Sequence, residues 1–308
     1  MSRIFSCLKY GFCLLLCFVL FSPRGTAQNF SQQFDALFLK EQPDTVQVRT
    51  LLRLWQRTSP EDPQLYVAAF NFYFIRSQHQ VVVLEQAPLG DSSYTVKDSG
   101  GNPRGYLNPH IDYDPQRLRA AFEWIDNGIR RFPDRLDMWM GKAHALRQTE
   151  NYDSFLIVMQ RVLNRSVDNK NQWLWNNDKR LESGRDFLLG RMQAYLRGFY
   201  ESERVDLMPV MSKLGEAVIR VYPEEVEVLS MTAVSLLLQK QYAKAIAYLR
   251  RAERIRPRDV VVLNNLAEAY RESGDKDASK RYLKLVESYG TADEKAAAKK
   301  NRKSLRRE

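Results

Sequence analysis

Apolar residues in the second half of the chain recur at helical spacing. In the stretch LNNLAEAYRESGD (263–275), Leu263, Leu266, Ala267 and Tyr270 fall at i, i+3, i+4 and i+7, one stripe of a helix. Ser273 and Gly274 end that helix, and Asp275 is placed to cap the next. Upstream, YAKAIAYLRRAERIRP puts Tyr242, Ala245, Leu249 and Ala252 on one face and stops at Pro257. Read this way, the chain predicts helices over 44–58, 63–77, 115–132, 135–148, 152–164, 182–202, 205–221, 224–239, 242–256, 259–273, 276–289 and 292–305.

Prolines punctuate the pattern. Counting back 34 residues from Pro257 reaches Pro223, and the segments GIRRFP and LWQRTSP end in the same manner at Pro133 and Pro60. The interval from Pro60 to Pro133 is 73 residues and that from Pro133 to Pro223 is 90, so each holds whole repeats plus an insertion. The first insertion, 80–113, has β-rich runs around DSGGNP, and Thr95–Lys97 is predicted to pair with Arg104–Leu107 as a hairpin about Gly100 and Gly101. The second, 167–180, holds Trp173 and Trp175 in a polar loop, where alternation places both on one side.

Ala245, Leu249, Ala252 and Pro257 resemble the second helix of a tetratricopeptide repeat. Leu263, Leu266, Ala267 and Tyr270 resemble the first helix of the next, with Ala267 where that family usually has Gly. Small residues suit positions where helix backbones approach closely. The resemblance implies an all-α solenoid of antiparallel helix pairs, here with a small β-hairpin insertion. The resulting division is 1–27 signal peptide, 28–79 N-terminal degenerate helical repeats, 80–113 β-hairpin insertion and 114–222 central degenerate repeats. Clear repeats follow over 223–290, and 291–308 forms a basic capping helix and tail.

The N-terminus changes the picture of location. Arg3 and Lys9 precede the apolar run CLLLCFVLF, and SPRGTAQ follows with Gly25 and Ala27 spaced for an export peptidase. The segment reads as a secretory signal cut after Ala27, which implies a periplasmic or secreted protein. The run is shorter than the roughly 18–20 residues that span a bilayer, and Leu16 before Cys17 argues against a lipid anchor. Cys7, Cys13 and Cys17 all lie in this segment, so a mature chain has no thiol chemistry and no disulfides.

Of the net charge of +10, three units come from Arg3, Lys9 and Arg24 and four from the tail DEKAAAKKNRKSLRRE, leaving +3 for residues 28–292. The body is nearly balanced. Lys295, Lys299, Arg302 and Arg306 at helical spacing read as a solvated final helix, and nucleic acid is not an expected partner.

Candidate chemistry is sparse. His79, His110 and His144 lie far apart, and no metalloprotease, nucleophile-elbow or phosphate-loop motif occurs. In HIDYD, either His110, Asp112 and Asp114 converge on a divalent ion, or Asp114 caps the helix opening at Pro115 and the others decorate a loop. DSGGNPRG, with Arg104, reads as a hairpin tip rather than an anion cradle, and Glu268 with Glu272 as solvated charges. No catalytic, metal or cofactor site is expected.

By resemblance, the first helices line the inner wall and bind peptides or proteins without chemistry. Val261, Asn264, Glu268 and Arg271 form the stripe expected to face it, with Asp137, Met140, His144 and Arg147 equivalent in the central pair and Glu227, Ser230, Val234 and Leu237 between. A carboxylate clamp of the kind found in part of the family would use Asn265, Lys295 and Lys299, but Ser230 and Val234 stand where Lys and Asn belong. Trp173 and Trp175 are either a plug over neighbouring helices or exposed rings that stack on a glycan or anchor a partner. A protein or peptide ligand is thus the expected partner. Binding of a glycan or envelope polymer through the Trp loop and basic tail is the alternative.

Overall fold

Each helix that stops before one of the four prolines closes in the same way. The structure, a computed structural model, describes residues 24–40 and 43–305, with side chains from residue 29. A proline ring clashes with a helical residue before it, and Ser59, Phe132, Tyr222 and Arg256 accordingly adopt φ of −140°, −128°, −123° and −129°. Each still donates its amide to the carbonyl four residues back, on Trp55, Gly128, Val218 and Ala252.

The chain divides into two compact units, 1–68 and 69–308, with the boundary inside a helix. The first holds α1 (Arg24–Phe38), α2 (Thr45–Thr58) and the opening of α3 (Pro63–Ser77). The periodicity reading did not include α1, although Phe30, Phe34 and Phe38 recur every four residues. Phe34 stacks on Phe38 at 5.0 Å, and Phe30 on Trp55 of α2 at 5.7 Å. Asp44 caps α2 by accepting from the amides of Val46 and Gln47. Residues 1–23 of the predicted signal lie outside the described residues, and Ala27 falls within α1.

In the second unit the first insertion is a sheet of three strands rather than a hairpin alone. β1 (Gln78–Glu85), β2 (Tyr94–Lys97) and β3 (Pro103–Tyr113) lie in the order β1-β3-β2, antiparallel throughout. The hairpin is as predicted, with Thr95 opposite Tyr106 and Val96 opposite Gly105. The run QHQVVVLE supplies the extra strand. Asp114 then caps α4 (Pro115–Arg131) by accepting from the Arg117 amide at 2.8 Å.

Four helix pairs follow: α5 (Leu136–Gln148) with α6 (Tyr152–Asp168), α7 (Gly184–Glu201) with α8 (Met208–Val221), α9 (Val226–Leu238) with α10 (Tyr242–Ile255), and α11 (Val260–Glu272) with α12 (Lys276–Tyr289). α13 (Ala292–Ser304) packs on α12. The turns inside three pairs are superposable in kind. Glu150, Lys240 and Gly274 take the left-handed conformation at φ 53°, 61° and 89°. The next amide in each returns to a carbonyl five residues back: Asn151 to Leu146, Gln241 to Leu236, Asp275 to Tyr270. These three residues are spaced 90 and 34 apart, the same intervals as Pro133, Pro223 and Pro257.

Helix α8 starts at Met208, later than predicted, because Pro209 fixes its first turn after a 3₁₀ turn over Val205–Leu207. At Gly215 a Cβ would stand 1.9 Å from Thr232 Oγ1, so α8 and α9 meet at a distance only glycine permits. First helices α7, α9 and α11 touch in series, as do second helices α6 and α8.

The second insertion is a short hairpin, β4 (Leu174–Trp175) with β5 (Lys179–Arg180), turning through Asn176, Asn177 and Asp178 at positive φ. It is tied to the start of α5 by the Leu174 amide on the Asp134 carbonyl at 2.8 Å.

Candidate partner-binding surface

On α11 the predicted stripe divides cleanly from the packing residues. Val262, Leu263, Leu266, Ala267 and Ala269 are buried, while Val261 is 61% exposed and Glu268 and Arg271 are exposed. Asn264 is half-buried beside them, as is Asn265. Tyr270 completes the packing by stacking on Tyr282 at 5.5 Å. Arg271 is gripped by both Glu268, at 3.0 Å through Nε, and Glu272, at 2.5 Å. Glu268 and Glu272 are therefore partners of one guanidinium, which sets its direction on the surface.

The equivalent residues on α5 do not form one surface. Met140 is 5% exposed, because Met138, Trp139 and Met140 are all buried where α5 is enclosed by its neighbours; Phe70 of α3 lies 3.4 Å from the Cβ position of Gly141. Met140 is thus a core residue. Asp137 accepts two hydrogen bonds from the buried Arg135 guanidinium, at 2.9 and 2.7 Å, and serves that charge rather than an open surface. His144 remains at the surface, and Arg147 is half-buried. Burial first, and then the Arg147 charge, lower the His144 imidazole below its usual range. On α9, Ser230 is buried between flanking helices, and the outward residues are Glu227, Met231, Val234 and Leu238.

The two tryptophans turn toward α7 and have different environments. Trp173 is fully buried, with Cδ1 3.3 Å from the Cβ position of Gly184. It plugs the core and cannot stack on a ligand, which corrects its place among the surface candidates. Trp175 is half-buried, meets Phe187 edge-on at 4.8 Å and lies under the Arg191 guanidinium at 5.9 Å.

The remaining candidates have structural partners. His110 and Asp112 sit on β3 rather than in a loop; His110 Nε2 contacts Glu85 at 3.3 Å, and Asp114 is the α4 cap. At the DSGGNPRG tip, Asp98 occupies the nest itself, accepting from the amides of Gly100 and Asn102 and from Arg104 Nε at 3.1 Å. Those bonds, the Asn102 amide first, hold its carboxyl below the usual range. Lys295 and Lys299 are exposed on α13, whereas Arg302 is paired with Glu287 at 2.7 Å. Among the described residues no group of three or more His, Cys, Asp or Glu side chains is placed to hold a metal ion, and no helix is long and apolar enough to cross a membrane.

A model of the tetratricopeptide repeat family matches residues 236–302, which span the end of α9 through most of α13. Residues 236–302 match tetratricopeptide repeats. Solved structures that resemble it include PilW, described as a widely conserved type IV pilus biogenesis factor, at 17% identity over 58% of this chain and 74% of that one, with a TM-score of 0.32. Another is Pseudomonas aeruginosa PilF, at 10% identity over 87% and 93%, TM-score 0.36. A third is the TPR2AB domain of yeast Sti1 in complex with an HSP90 peptide, at 10% identity over 92% and 97%, TM-score 0.29. All three TM-scores are below 0.5, so the repeat assignment rests on the family match and on the helix grammar above. No curated protein matches the sequence.

Two surfaces escaped the sequence reading of the repeats. One joins α5 to α7, where Arg147, already on the α5 stripe, is accompanied by Arg191 and Tyr195. The other is a face of the sheet on which Val82, Leu84, Tyr94, Leu107 and Ile111 are exposed by 67, 61, 76, 37 and 52%. Leu84, Leu107 and Tyr94 stand opposite one another across the three strands. The period-2 signal in VVVLE was visible, but no strand partner on 107–113 was assigned to it.

Proposed function

We propose that this tetratricopeptide repeat chain is an exported scaffold that binds a protein or peptide partner along the outward faces of its first helices and carries out no chemistry. The observation that carries the reading is the α11 stripe: Val261, Asn264, Glu268 and Arg271 run along a helix whose other sides are consumed by packing. An open apolar residue at one end of a stripe that carries an oriented arginine at the other has the character of a recognition surface. His144 and Arg147 on α5 extend the same reading. Asn265, Lys295 and Lys299 add polar and cationic groups on α11 and α13 without the Lys and Asn that a full carboxylate clamp needs at Ser230 and Val234.

Export to the periplasm or medium rests on the sequence of residues 1–27, with the cut after Ala27 leaving Gln28–Phe38 of α1 on the mature chain. The glycan reading loses one of its two rings with Trp173 buried. The test is affinity capture with the mature chain as bait. A partner enriched by the wild type and lost with Asn264→Ala plus Arg271→Ala supports the scaffold; capture unaffected by that pair contradicts it.

A further inference from the structure

Arg135, Arg165, Arg204, Arg256 and Arg302 each pair with a carboxylate. Arg147 and Arg191 do not. Among the described residues neither forms an ion pair or a side-chain hydrogen bond, and Arg147 Nε is buried without a partner.

Both arginines border one face of α7. Phe187, Arg191, Tyr195 and Gly198 fall at i, i+4, i+8 and i+11, and so share a side of that helix. Arg147 approaches the same side from α5, its Nη1 lying 4.0 Å from where a Cβ on Gly198 would stand. The charges of Arg191 and Arg147 both reach the Tyr195 phenol, whose ring packs edge-on against Phe155 at 5.2 Å. Arg191 lies over Phe187 at 5.7 Å and Trp175 at 5.9 Å, which fixes it beside an apolar edge.

Glu150 and Asp206, the carboxylates on the Tyr152 side, are both engaged by Arg204, Asp206 at 2.8 Å. His144, one turn before Arg147, is held toward its neutral form and supplies no negative charge. Two guanidiniums, one of them partly desolvated, are thus held beside a phenol and an aromatic edge. A carboxylate matches the planar fork of an arginine.

We propose that Arg147 and Arg191 receive carboxylates of an acidic peptide partner, while the Trp175–Phe187 edge takes an adjacent apolar side chain. The proposal rests on the partner-binding reading above and names the chemistry of the ligand at the α5–α7 end. The carboxylates are those of Asp or Glu side chains.

The test is fluorescence anisotropy with labelled peptides of alternating Glu and Leu, C-terminally free or amidated, against the same peptides with Gln for Glu. The acidic peptides should bind the full chain at least about tenfold more tightly than the Gln peptides at low salt. Free and amidated Glu peptides should bind equally, and loss of binding on amidation overturns the proposal. Arg147→Gln with Arg191→Gln should erase the preference. Gly198→Glu, which builds a carboxylate next to Arg147, should weaken the acidic peptide without removing either arginine, and Gly198→Ala should not. Circular dichroism confirms that each variant is folded. The proposal is overturned if the acidic peptide does not bind, if Glu and Gln peptides bind alike, or if folded Gly198→Glu retains full affinity. Gln and Glu peptides binding alike, yet released by Asn264→Ala with Arg271→Ala, would leave the scaffold reading standing and remove this one.

Discussion

Arg135, only 1% exposed, donates to Asp178 at 2.9 Å across 43 residues of sequence, while its other nitrogens hold Asp137 at 2.9 and 2.7 Å. The bond fastens the second insertion to the start of α5. Burial works against the guanidinium charge, and the two carboxylates more than offset it, so its pKa is raised. Removing one side of a buried pair strands the other, so Arg135→Ala should cost about 3–5 kcal/mol in urea unfolding. Asp178 is 53% exposed and leaves Asp137 in place, so Asp178→Ala should cost about 1 kcal/mol.

Trp173 and Trp175 should separate sharply in the same measurement. Trp173→Ala opens a large cavity and should cost about 3–5 kcal/mol, against about 1 kcal/mol for the half-buried Trp175. Trp173→Phe should cost less than about 1.5 kcal/mol, because the buried indole N–H that it removes has no acceptor. A Trp173→Ala chain as stable as wild type would contradict the plug.

The left-handed turn residues make a paired prediction. Lys240 occupies at φ 61° the position that Gly274 occupies at φ 89° one repeat later. Lys240→Gly should therefore stabilise by roughly 0.5–1 kcal/mol, and Gly274→Ala should destabilise by about 1 kcal/mol. Opposite signs in thermal unfolding confirm that the two turns are equivalent.

Acid sensitivity follows from Asp134. Burial raises its carboxyl pKa, but the Arg165 bonds at 2.9 and 3.0 Å and the Asn169 bond at 2.8 Å outweigh this, and the net shift is downward. A carboxyl lowered by folding adds stability above its unfolded pKa of about 3.9 and loses it as pH falls through its folded value. Unfolding free energy should therefore drop as pH falls below about 4, and Asp134→Asn should flatten the slope.

The repeat frame was legible because its signals are local. A proline disfavours helix in the residue before it, so Pro60, Pro133, Pro223 and Pro257 marked four helix ends and, by their unequal intervals, two insertions. Tyr66 and Trp139 reinforce the point, each donating at 2.9 Å to the carbonyl of the proline six residues earlier. The surface was less legible, because helical spacing gives a residue's side of the helix but not what covers that side. Asn264 and Met140 occupy equivalent positions by spacing, yet one is half-buried and the other enclosed. α1 was missed because its start overlaps the segment read as a signal. The α5–α7 patch was missed because the contact between Arg147 and Gly198 is tertiary.

The central claim is that first-helix faces meet the partner and second-helix faces do not. Photo-crosslinking tests it most directly, with a benzophenone amino acid placed at Asn264 on α11 or at the exposed Arg281 on α12, in cells producing the full chain. The account predicts a discrete crosslinked protein from position 264 and none from 281. Crosslinks confined to 281, or equal at both, would contradict it.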